Sequence, residues 1–121
     1  MSEISKNLMI RIKKFAHQCV IAALKLPKNN LGWHLQRQLI RCSTSVAANF
    51  RAACLAQSKA SFIAKLSICL EECDESCFWL EFIIDENLLN DEILKPMLVE
   101  GEELRAIFIA SRNTSRRIKA D

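Results

Sequence analysis

The stretch FIAKLSICLEECDESCFWLEFII, residues 62–84, decides the fold. Phe62, Leu66, Cys69, Cys73, Cys77, Leu80 and Ile84 follow one another by three or four residues, the spacing that lines up side chains on one face of an α-helix. Glu71, Glu72, Asp74 and Glu75 fall off that stripe and read as its solvated side. The stretch also holds three of the chain's six cysteines, which raises a metal or redox centre as the alternative. Helix geometry argues against it. Four residues advance about 6 Å, so Cys69 and Cys77 lie about 12 Å apart along the axis, whereas two sulfurs on one zinc lie within about 4.6 Å of each other. A pair four residues apart would need two further ligands, and the only histidines are His17 and His34. Cysteine behaves as a small hydrophobe when it is not a ligand, so the six are read as core residues, with no metal site and no cofactor. A di-iron site is set aside as well, because no Glu-x-x-His pair occurs.

The same spacing continues on both sides. Ile4, Leu8, Ile12, Phe15, Cys19, Ala22 and Leu26 form one stripe that Pro27 ends, and PKNNLG is a connector. Leu35, Leu39, Cys42, Val46, Phe50 and Ala53 form a second, Ser58 is an N-cap for the helix already described, and ENLLND is the next connector. A last stripe runs through Leu94, Met97, Gly101, Leu104, Phe108 and Ser111, with Pro96 placed in the first turn. Helices are expected over about 4–26, 33–56, 59–86 and 91–117. Short connectors make neighbours antiparallel, so the fold class is an all-α, up-down four-helix bundle. It is one domain, 1–121, with a short basic tail from about 112.

Composition agrees and removes several functions. Only two Gly and two Pro occur, and Tyr is absent. A Gly-rich phosphate loop cannot be built, and Ser43 to Ser45 have no glycine elbow, so no enzyme is expected. No apolar run reaches the ~18 residues of a membrane span, and a cytoplasmic location is expected.

Charge carries more information than its net value of +3. Residues 1–65 hold eleven Lys and Arg against one acid, Glu3, whereas residues 66–105 hold two against twelve Asp and Glu. Residues 106–121 are basic again. Such density suits phosphates, and the candidates for contact are Arg37, Arg41, Arg51 and Lys59, joined by Lys13, Lys14, Arg116 and Arg117. Phe78, Trp79 and Phe82 exceed what one stripe can hold, and Ala48 and Ala52 give the second helix a small-residue side. These five are the expected oligomer interface.

The segment 39–89 carries a resemblance. Arg41, Thr44-Ser45 and Ala48-Asn49, then Gln57-Ser58-Lys59 with Phe62, then Glu72, Glu75 and Trp79-Leu80 resemble the four-helix-bundle proteins encoded in intervening sequences of bacterial 23S ribosomal RNA genes. Their relatives include the Avd accessory proteins of diversity-generating retroelements. The resemblance implies a homopentameric ring without known enzymatic activity, and, by way of the retroelement relatives, a basic surface that binds nucleic acid and association with a reverse transcriptase. Small residues such as Ala or Thr serve those proteins at the three cysteine positions, which agrees with packing. One departure is that the acid common after Asn49 is missing, since Phe50, Arg51, Ala52 and Ala53 stand there. The resulting expectation is a non-enzymatic ring that binds RNA or DNA through phosphates, with a reverse-transcriptase scaffold as the alternative.

Overall fold

The computed structural model describes residues 1–118. They form four helices, α1 (Glu3–Leu24), α2 (Asn30–Cys54), α3 (Lys59–Asp85) and α4 (Asp91–Arg117), with no strand among the described residues. The segment from 112 extends α4 as far as Arg117, and residues 119–121 of the expected tail lie outside the described residues.

Each helix begins where a side chain can take a free N–H of the first turn. Ser2, Asn29, Ser58 and Asn90 accept from the backbone of Ser5, Gly32, Ser61 and Glu92. Asn29 explains why α2 starts at Asn30 and not near 33, because the cap lies inside the segment read as a plain connector. The first two helices also stop earlier than the stripes suggest, their last turns closing through Lys25 N–H to Ala22 O at 3.0 Å and Leu55 N–H to Ala52 O at 3.2 Å. Past α3, Asn87 takes the left-handed conformation at φ 53°. There the Leu88 and Asn87 N–H groups return to Ile83 O and Ile84 O, a turn more often closed by glycine.

Pro96 corrects an expectation. It lies in the second turn of α4, so its missing N–H leaves the Glu92 carbonyl without a helical donor. Both residues are exposed, and water can serve that carbonyl.

The helices pack in chain order, α1 on α2, α2 on α3 and α3 on α4, and α4 returns to α1 along the thinnest seam. The core is the predicted set of stripes: Ile12, Phe15, Leu35, Leu39, Leu66, Leu80, Leu94, Leu104 and Phe108 are all fully buried. Each such side chain contributes about 2 kcal/mol of burial. The stripe ends differ. Ile4 is 80% exposed in the first turns of α1, Leu8, Phe62 and Ser111 are half-buried, and Ile83 takes the buried place expected for Ile84.

Gly101 sets the spacing of three helices, since a Cβ there would lie 2.8 Å from Cys77 Sγ and 3.1 Å from Phe15 Cζ. Among the described residues no helix is long and apolar enough to cross a membrane.

Candidate nucleic-acid interface

The cysteines compete with the cations as the chemistry of this chain. Cys19, Cys42, Cys69, Cys73 and Cys77 are buried, and Cys54 is half-buried. Cys73 Sγ donates to Gly101 O at 3.3 Å and Cys69 Sγ approaches Val46 O at 3.7 Å, so these thiols face neighbouring backbones across the core. Burial pushes the Cys42 thiol up to about 11 and the Cys69 thiol up to about 12, and it raises Cys19 further. Cys73 is raised by its hydrogen bond with Cys77 and then by burial. A thiol held protonated is neither a nucleophile nor a ligand, so Cys19, Cys42, Cys69 and Cys73 act as core, and Cys77, which the hydrogen bond with Cys73 shifts down, is 1% exposed and closed to any reactant. Among the described residues no three His, Cys, Asp or Glu side chains gather closely enough to hold a metal ion.

The charge segregation along the chain becomes a segregation in space. The basic helices α1 and α2 are neighbours, whereas the acids gather on α3 and on the first half of α4, whose second half is basic again. α2 contains no acid and α1 contains only Glu3 at its start, so the cations of the α1–α2 side are neutralised only where they reach α3 or α4, as Arg41 and Arg11 do.

Within that frame the eight predicted cations separate. Lys13 and Arg51 come together, lining a shallow groove of about 370 Å³ between α1 and α2 with Met9 and Ala48. Arg37 falls within about 40° of Arg51 around the α2 axis and about 21 Å from it along the axis. Lys13, Arg37 and Arg51 make no salt bridge among the described residues.

Arg41 is turned towards α3 instead. Its Nη1 lies 3.0 Å from Glu72 Oε2, and its Nη2 bonds Glu75. These carboxylates, Glu75 first, hold the guanidinium above its ordinary pKa, and they occupy the donors that a phosphate would need. Lys14 turns the other way, into a groove between α1 and α4. Lys59 is half-buried at the bundle end, where it lines a groove of about 930 Å³ with Met1, Ser115 and Ile118. Arg116 and Arg117 are exposed in the last turn of α4, close to that end.

The expected interface residues also divide. Phe78, Trp79 and Phe82 form one cluster, with ring centroids 4.9 Å apart for Phe78–Trp79 and 6.1 Å for Trp79–Phe82. Trp79 belongs largely to the bundle: its Nε1 donates to Glu75 Oε2 at 3.2 Å and its ring meets His34 edge-on at 5.5 Å. Phe78, 50% exposed, is the free apolar surface. Ala48 and Ala52 lie elsewhere on α2, and Ala48 faces the Lys13–Arg51 groove.

The basic side also carries a large aromatic residue outside the predicted stripes. Trp33 is 46% exposed and stands one turn before Arg37 on the same side of α2. The signal was present as an aromatic four residues from an arginine, but its exposure depends on what α1 and α3 cover.

The family model described as "23S rRNA-intervening sequence protein" matches residues 7–110. A crystal structure of a protein of unknown function of the S23 ribosomal protein family from Bacteroides thetaiotaomicron is similar, with TM-score 0.80 and 30% identity, covering 87% of this chain and 97% of that one. No curated protein matches the chain. The chain belongs to the 23S rRNA-intervening sequence protein family.

Proposed function

We propose that this member of the 23S rRNA-intervening sequence protein family is a non-enzymatic homo-oligomer, a closed ring of five copies, that binds RNA through the phosphate backbone. The observation that carries the binding is the α1–α2 side, where Lys13, Arg37 and Arg51 are exposed over about 21 Å of helix and make no salt bridge among the described residues. Cations spread in that way follow a phosphate backbone, and the exposed Trp33 beside Arg37 offers a face on which an unpaired base can stack. The resemblance of residues 39–89 to ring-forming proteins supports the oligomer, and the exposed apolar Phe78 supports a surface that a second chain covers.

Binding of an unstructured oligoribonucleotide, measured against salt for wild type and for a Lys13→Ala, Arg37→Ala, Arg51→Ala variant, tests the reading. Each lost phosphate contact removes about 0.7 from the slope of log K against log salt, so the triple variant should lose about 2. An unchanged affinity and slope would remove the assignment.

A second reading, a scaffold that holds a reverse transcriptase, is supported by the resemblance to the retroelement accessory proteins. A reverse transcriptase gene with template and variable repeats beside this gene would favour it, and a ribosomal RNA gene would favour the first.

A further inference from the structure

We propose that the groove between α1 and α4 is the socket for the Phe78–Phe82 patch of a second copy of this chain, so that copies join head to tail. This rests on the oligomer reading above and names the two surfaces that would meet. The groove, about 420 Å³, is walled by Ile21, Ile93, Pro96 and Met97. It lies on the thinnest seam of the bundle, and its isoleucines are poorly covered, with Ile21 55% and Ile93 47% exposed. The patch lies on α3, a different surface, so patch and groove can meet only between copies and only heterologously.

The two surfaces are level along the bundle. Cys77, Gly101 and Phe15 meet at one height. Five residues further in the same direction, about 7.5 Å, α3 reaches Phe82, α4 reaches Pro96 and α1 reaches Val20, beside Ile21. Copies can therefore dock side by side without sliding past one another, as a ring about an axis parallel to the helices requires.

Charge matches as well. Glu81 and Asp85 flank the patch, Lys14 and Lys25 line the groove, and none of the four pairs within the chain among the described residues. Of the groove's own acids, Glu100 is already bound by Arg11, with Nε to Oε2 at 3.1 Å, and Glu92 sits in the first turn of α4.

Two surface variants separate the surfaces. Phe78→Glu spoils the patch and leaves the groove, whereas Ile21→Glu spoils the groove and leaves the patch; Phe78→Ala and Ile93→Lys repeat the pair with milder changes should either fail to fold by circular dichroism. Native mass spectrometry should show an oligomer for wild type and a monomer for each variant. A one-to-one mixture should give a heterodimer of one copy of each and nothing larger, because only one productive contact remains. Wild-type protein found as a monomer would overturn the oligomer reading and this pairing together. An oligomeric wild type with a groove variant that assembles unchanged, or with a mixture that stays monomeric, would overturn the pairing alone.

Discussion

Arg41 of α2 and Glu75 of α3 are joined by a salt bridge across the seam between their helices, and the same carboxylate oxygen accepts a hydrogen bond from Trp79 Nε1 at 3.2 Å. With Glu72 on the other arm, the guanidinium ties α2 to α3 at the surface. Arg41→Ala should lower stability by no more than about 1 kcal/mol, because the side chains are partly exposed and water replaces what is lost. Urea unfolding measures this. The same variant should leave the salt dependence of RNA binding unchanged, and a reduced slope would return Arg41 to the phosphate contacts.

The two glycines should respond unequally to alanine. At Gly32 a Cβ would fall 1.7 Å from the Pro27 carbonyl oxygen, so the backbone between α1 and α2 must move, at a cost of about 3 kcal/mol. At Gly101 the nearest obstacle is the Cys77 thiol, which can be removed. Gly101→Ala combined with Cys77→Ala should therefore cost less than the two single changes added together, a coupling that a double-mutant cycle reads directly.

Stability should fall with alkalinity through the buried thiols. Cys42 and Cys69 titrate near 11 and 12 in the folded chain, against about 8.5 when unfolded. Folded pKa values raised in this way make a contribution that is full below pH ~8.5 and is lost as pH rises towards the folded values. Each thiol accounts for up to about 1.4 kcal/mol per pH unit in that window. Urea midpoints at pH 7.5 and 9.5 should differ accordingly, and replacing Cys42 and Cys69 by Ala should reduce the dependence, leaving the part that Cys19 and Cys73 contribute. In the same window Cys54, half-buried, should be the first thiol alkylated in the folded protein, as peptide mapping would show.

Trp33→Ala should weaken binding of an unpaired oligonucleotide by about 1 to 3 kcal/mol, the range for one stacked base, and should leave the salt slope as it is. Duplex RNA should be affected less, since its bases are already stacked. Equal losses on both substrates would place Trp33 outside the interface.

Much of this was legible in the chain. The stripes through Leu35, Leu39 and Val46, or Leu66, Cys69 and Cys73, are spaced by a local rule of the helix, so the element count, the core and the inward cysteines followed from spacing. Ser58 was readable as a cap for the same reason. Asn29 was not, because it sits in a segment with no hydrophobic pattern to mark where α2 begins.

The cations were legible as a set and illegible as a site. Lys13 and Lys14 are adjacent in sequence, yet about 100° of helix turn sends one to the α2 groove and the other to the α4 groove. Arg37 and Arg41 are one turn apart, yet among the described residues only Arg41 meets carboxylates, which come from another helix. The sequence by itself determined what is periodic and local: four amphipathic helices, their buried faces and a chain basic at both ends. The tertiary structure decided which charges remain free and which aromatics remain uncovered, because a side chain's partners depend on the helix packed beside it.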